Sequence, residues 1–339
     1  MKSGYPILIL SILLFIGCAQ KLTVKSLEPA KVSDKAVKNV AVDDFKNDTI
    51  SLKANIKSAL SEVQFNNKPY FTVVNRDATD KILKEQKLQD SGLVNNKGEE
   101  EYFLSDISSI ITGEILNKGY SYSIYTKQKT NYQKCVKYDK KKRCEEYAKY
   151  KVYCKKYFYS VNANISITKT KNSDIIFSKS FSKNSSQFRC EDENIQLYTK
   201  QYMYEKLAKT IAKEFVSYIS PNYRYIQLPL IDKEDIKYNN QQSNMLKKAL
   251  KLIDMKDIEG ANQILQNLVK STKRKSATAL YNLALTYEYL EDLQKAALNY
   301  QMAKNITLLN DMNEDIIFSA NRIKKVIDNQ NKALRQIEQ

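Results

Sequence analysis

The chain has no histidine, and only seven of its 339 residues are glycine. Without histidine there is no Ser-His-Asp or Cys-His site, no His-ligated metal and no HExxH zinc site. The glycines form no GxxxxGK[ST] or GxGxxG run, so no glycine-rich loop is available to cradle a phosphate. Arginine is almost as scarce, seven against 48 lysines. Lysine cannot make the bidentate contacts by which arginine reads bases, so no specific nucleic-acid partner is expected. These absences predict a protein that is not an enzyme and needs no cofactor or metal.

What is present will build a core. Hydrophobic residues make up 42% and charged residues 27%, a globular composition, in a length that suits two domains. Acidic residues number 38 against 55 basic ones, a formal charge of +17. The lysine excess beside abundant Asn and Ile fits codon bias as well as a basic binding surface. Attraction to anionic lipid or glycan stands between those two readings.

Long apolar runs are missing except at the start. Lys2 precedes an apolar stretch, Tyr5 to Phe15, interrupted by Pro6 and Ser11. It is too short for the ~20 residues of a spanning helix and suits a signal-peptide core. It ends in Phe15-Ile16-Gly17-Cys18, which resembles a bacterial lipobox, with Cys18 as the lipidation site. Phe15 stands where Leu is usual, and the rival is an ordinary secretory signal with a chance cysteine. An acyl anchor at Cys18 makes the membrane a partner. By lipoprotein sorting, Ala19 implies the outer membrane, with the protein facing the periplasm.

Four cysteines remain, Cys135, Cys144, Cys154 and Cys190. An even number in an exported chain suggests two disulfides with three connectivities. Zinc is the rival, but the intervening stretches of 8, 9 and 35 residues include no CxxC hook.

Along the chain, residues 19–36 are polar, contain Pro29 and read as a tether. A strand is expected from Val37 to Phe45, then a turn at Asn47-Asp48-Thr49. A helix follows with Leu52, Ile56, Ala59, Leu60 and Val63 on one face. A second strand, Tyr70 to Val74, leads to a helix capped by Asp77 and carrying Ala78, Ile82, Leu83 and Gln86. A third strand near Ile107 to Ile115 is expected to break at Gly113. The alternation predicts an α/β or α+β layer.

Several runs occur here in a telling order: Val40-Ala41-Val42-Asp43-Asp44-Phe45, Phe71 to Asp77, Ile82 to Leu88, Ser91-Gly92-Leu93-Val94 and Ile111-Thr112-Gly113-Glu114-Ile115. Over residues 37–218 they resemble the CsgG-like family of curli-assembly lipoproteins and relatives similar to peptidoglycan-synthase activators. The resemblance implies a structural module with no catalytic residue, in which Arg76 and Asp77 organise a strand-to-helix turn. It also allows a homo-oligomer.

Residues 120–190 are distinctive. From Cys154, the odd positions Tyr157, Tyr159, Val161, Ala163, Ile165 and Ile167 are apolar between polar neighbours. Ile175, Phe177 and Phe181 continue the pattern after Lys171-Asn172-Ser173. Pairing about Asn172 sets residues summing to 344 opposite each other: Ile167 with Phe177, Ala163 with Phe181, and Cys154 with Cys190 on the other face. Cross-strand neighbours lie within disulfide reach, which leaves Cys135 to bridge to Cys144. A single bulge would break this register. Thr126 to Lys156 holds twelve basic and three acidic residues with tyrosines interleaved. That is either a solvated edge hairpin, its lysines deterring strand addition, or a docking surface.

In the channel-forming branch of the resembled family this region and Ser178 to Arg189 would be membrane hairpins. Lys127, Lys129, Lys137, Lys149 and Lys151 have odd parity, and Lys134, Lys140, Lys142 and Lys156 even parity. Neither face is free of charge, and no pore is expected.

Pro221 to Leu230 marks a boundary, followed by a linker to Gln242. Leu280, Leu283, Ala284, Tyr287, Ala296, Tyr300 and Ala303 have the offsets of a tetratricopeptide repeat. Ala249, Leu252, Ala261, Leu265 and Leu268 form a weaker copy, and Ile316, Ala320, Ile323 and Ile327 a closing helix. An ordinary helical bundle is the rival. The expected α+β organisation is therefore a signal peptide (1–17), tether (18–36), CsgG-like α/β domain with a disulfide-pinned hairpin (37–222), linker (223–242) and tetratricopeptide-like helices (243–335). Its function is expected to be that of an envelope scaffold recruiting a protein partner through the helical repeats. A secretion-channel subunit and a peptidoglycan-synthase activator are the alternatives.

Overall fold

A computed structural model describes residues 20–74, 107–310 and 312–339. Cys18 and the signal segment, and the expected helix from Ala78 with most of the run from Val73 to Leu93, lie outside the described residues. The fold is α+β, and the chain divides into two compact units. One comprises the described residues of 29–222 with 335–339; the other joins residues 20–28 to the described residues of 223–334.

The first unit is a five-stranded sheet in the order β5-β2-β6-β7-β8. Strand β2 (Asn39–Lys46) lies parallel to both β5 (Thr72–Val74) and β6 (Ser109–Tyr138). Its Val40-Ala41-Val42 run is wholly buried, as befits a parallel strand covered on both faces. Strands β6, β7 (Cys144–Lys169) and β8 (Ile175–Cys190) then run antiparallel. Helix α1 (Leu52–Ser61) starts where Asp48 accepts from the backbone N–H groups of Leu52 and Lys53. The small pair β3 (Gln64–Phe65) and β4 (Lys68–Pro69) follows it.

Helix α2 (Lys200–Ile219) is capped by Thr199, and its Leu207, Ala208, Ile211, Phe215 and Ile219 recur at helical spacing to form a buried stripe. That stripe joins Val161, Ala163, Ile165 and Ile167 of β7 in one core. The expected break at Gly113 does not occur; β6 runs through it. Glycine is needed there for room, since a Cβ would sit 2.4 Å from the Phe45 ring and 2.8 Å from the Asn164 carbonyl.

The second unit corrects two boundaries. Residues 21–28, expected within a tether, form β1 (Lys21–Glu28), paired with β9 (Asn222–Pro229) in the expected linker. Leu22 and Val24 alternate inward, with Leu228, Leu230 and Tyr238, into the core of the helices. Five helices follow: α3 (Asn240–Asp254), α4 (Ile258–Ser271), α5 (Ala277–Tyr289), α6 (Leu293–Leu309) and α7 (Glu314–Glu338). Each of the first four starts at a side-chain cap: Asn239 in a capping box with Gln242, Asp257, Ser276 and Asp292. Short turns make α3–α4 and α5–α6 two helical hairpins, stacked through α4 and α5.

Candidate functional site

The seven residues with repeat offsets are packing residues. Leu280, Leu283, Ala284, Ala296, Tyr300 and Ala303 are buried and Tyr287 is partly so. The chemistry around them rests on a residue that spacing does not reveal. Glu288 is completely buried, accepts from the Tyr300 hydroxyl at 2.8 Å and pairs with the Arg322 guanidinium at 2.6 Å. Burial, together with the Glu288 carboxylate, holds the Tyr300 phenol well above its ordinary pKa.

The exposed side of α5 is not open to a ligand, because the chain itself covers it. Asn282 donates to the Ile231 carbonyl at 2.6 Å and accepts from the Ile231 N–H at 3.1 Å. Tyr281 donates to the Pro229 carbonyl, Thr278 to that of Lys233, and Asp235 accepts from Ser276 and from the Ala277 N–H. Residues 229–235 are thus gripped along their backbone by side chains at the start and middle of α5. An open cleft of about 510 Å³ remains between α3 and α4, lined by Gln241, Asn244, Met245, Lys248, Ile264 and Asn267.

The other candidate is the β6–β7 arm. At ~3.3 Å per residue the thirty residues of β6 extend ~100 Å, far beyond ordinary strands. Strand β8 ends at Cys190, directly opposite Cys154. Beyond it β6 and β7 continue for ~40 Å as a two-stranded ribbon exposed on both faces. A lone ribbon is marginal in water, and this one is fastened at both ends. Disulfides join Cys154 to Cys190 at its root and Cys135 to Cys144 near its tip. From Cys154 to Ile167 the β7–β8 register sums to 344 throughout, so Cys154 lies on the face opposite Tyr159 and Val161.

The faces of β6 do not follow the odd and even parity of its sequence. Its register shifts between Ile115 and Asn117, and from there to Asn131 even residues of β6 oppose odd residues of β7. Lys127 and Lys129 therefore share a face with Val152 and Cys154, whereas Lys149 and Lys151 lie on the opposite face, with Tyr153, Lys155 and Tyr157. The second face continues the helix-packed side of the sheet and is called inner here; the first is outer. Both carry lysine.

On the outer face Lys129 is paired, while Lys127 and Lys156 have no acidic partner among the described residues. Lys129 bonds Asp192 and Glu193, each at 2.8 Å, and Tyr150 donates to Asp192. Those two carboxylates hold the lysine above its ordinary pKa, and the lysine holds both of them below theirs. Cys190, Asp192 and Glu193 bring ligand atoms within 4.8 Å of one another. The sulfur is in a disulfide and both carboxylates already hold the ammonium group of Lys129. Nearer the tip, Lys137 pairs with Glu145 and Arg143 with Asp139.

No protein-family profile matches the chain, and no curated protein does. Among solved structures, a minor lipoprotein from Acinetobacter baumannii is similar at 8% identity, covering 56% of this chain and 96% of its own, with a TM-score of 0.23. Lipoprotein GNA1162 from Neisseria meningitidis is similar at 11% identity, covering 52% and 97%, also with a TM-score of 0.23. Likenesses of that size establish neither the fold nor the function of this chain.

Proposed function

We propose that this is a non-enzymatic, lipid-anchored protein of the bacterial cell envelope that acts as a scaffold or recruiting module. The observation that carries this reading is the pairing of all four cysteines after Cys18 into two disulfides, at the root and near the tip of the β6–β7 arm, a device of oxidising compartments. The run Phe15-Ile16-Gly17-Cys18 supplies the anchor, placed at the outer membrane by Ala19. The two stacked hairpins, with Ala261 and Ala296 on equivalent helices, support a tetratricopeptide-like reading of the helical unit, and the likeness of residues 37–218 to the CsgG-like family supports an assembly role. A protein partner is assigned to the cleft between α3 and α4, since the α5 side is filled by residues 229–235.

Growth with a labelled fatty acid tests the anchor. The wild-type protein should take up the label and partition into detergent, and Cys18→Ala should abolish both; an unlabelled wild-type protein would refute the reading. A secretion channel is the weaker alternative because lysines on both faces of the arm leave no apolar band for lipid, where each would cost roughly 2–4 kcal/mol at mid-bilayer. Planar-bilayer recordings should show no stepwise conductance.

A further inference from the structure

We propose that the inner face of the β6–β7 arm is a binding track for a linear acidic polysaccharide. Lys149, Lys151 and Lys155 stand on this face in one row of β7, exposed and without an acidic partner among the described residues. Successive same-face positions are ~6.6 Å apart, so Lys149 and Lys151 are separated by ~6.6 Å and Lys155 stands ~13 Å further along, an extended line of cations rather than a cluster. Lys155 directly opposes Arg189 of β8. Like charges in that position destabilise a sheet, and an anion lying across both would remove the repulsion through charge-assisted hydrogen bonds, bidentate at the arginine.

Between these cations Tyr153 and Tyr157, with Ile124, line an open recess of about 700 Å³. Their rings offer apolar platforms for the C–H faces of sugars, and their hydroxyls can bond sugar hydroxyls. Glu191 and Glu193 close the β8 side of the recess, directing an anionic thread along the β7 row rather than off the sheet edge. The outer face offers no such row: Lys129 is already held by Asp192 and Glu193, and Lys127 and Lys156 stand on different strands.

The occupant follows from shape and charge. A single row beside a recess fits a thread and not a flat bilayer, and a second copy of this chain would bring more positive charge. The choice of glycan over nucleic acid rests on the envelope reading above and on a row made of lysine rather than arginine.

Binding of fluorescent polygalacturonate to the full chain, followed by anisotropy, tests the proposal. Oligothymidylate, phosphatidylglycerol vesicles and neutral dextran form the comparison arms. Polygalacturonate should bind in a salt-sensitive manner and dextran should not. The inner-face variant Lys149→Gln/Lys151→Gln/Lys155→Gln should weaken binding by roughly tenfold or more. The variant Lys127→Gln/Lys140→Gln/Lys156→Gln removes equal charge from the outer face and tip and should stay within about threefold of wild type. Tyr153→Ala/Tyr157→Ala should weaken polygalacturonate while leaving the net charge intact. Equal losses in the two lysine variants, no binding of polygalacturonate, or tighter binding of the oligonucleotide or vesicles would each overturn the proposal. Cys18→Ala should leave the binding unchanged, so failure of the anchor and failure of the track are read separately.

Discussion

In the helical unit, Leu280, Ala284, Ala296, Tyr300 and Ala303 are covered on every side. In the distal arm, Tyr132, Tyr138 and Tyr153 are more than half exposed. The first region holds itself together by burial, with a charge pair sealed inside; the second has almost no interior and relies on covalent links at its ends. The comparison explains how one chain can carry both a packed module and an arm ~40 Å long. Side chains that would collapse a free ribbon into aggregates are kept apart by lysines on both faces, while sulfur joins β6 to β7 near the tip and β7 to β8 at the root.

The comparison breaks most severely if the sealed charge pair is opened. Arg322→Met leaves the Glu288 carboxylate buried and unpaired, and should cost roughly 3–5 kcal/mol in denaturant unfolding. The loss should fall on the helical unit, with the Cys154–Cys190 bond still formed.

Next comes the root disulfide. The replacement Cys154→Ser/Cys190→Ser opens a loop closed across 36 residues, for which the chain-entropy model gives ~3–4 kcal/mol before any strain is discounted. Calorimetry should show a weakened transition for the sheet unit and an unchanged one for the helices. Peptide mapping without reductant should recover Cys135 joined to Cys144 and Cys154 joined to Cys190 from wild type. A peptide linking Cys144 to Cys154 would contradict the register.

Some of this is legible in the sequence and some is not, for physical reasons. The β7–β8 register can be read because apolar odd positions run from Tyr157 to Ile167 and return at Ile175, Phe177 and Phe181 after the turn, which forces one alignment. The face of the β6 lysines cannot be read, because one register shift near Leu116 exchanges odd for even and leaves no mark in composition. Strand β1 is obscured because Leu22 and Val24 are a short alternation beside Lys21, Lys25 and Pro29, which look like a tether. Glu288 and Arg322 each look like surface charges, and only tertiary packing brings them together. Asn282 carries no local sign that it grips Ile231 from 51 positions away.

A smaller effect is expected at that grip. Asn282→Ala removes both hydrogen bonds to Ile231 and leaves two backbone groups without partners, a loss of about 1–3 kcal/mol. Faster amide exchange over residues 228–235 should reveal it.

The smallest concerns acid. Hydrogen bonds from Lys169 and from the Ala36 N–H hold the Asp34 carboxyl below its ordinary pKa. A carboxyl lowered by folding stabilises above its unfolded pKa, and the contribution disappears as pH falls through the folded value. Asp34→Asn should therefore lower stability by less than about 1 kcal/mol at neutral pH. The difference from wild type should vanish in the acid limb of a pH titration.

The most direct test of the comparison is amide hydrogen exchange on the whole protein, with and without reductant. Reduction should raise exchange sharply over residues 126–153 while α3 to α6 keep their protection. Unchanged protection of the arm after reduction, or loss of protection in the helices, would contradict the account.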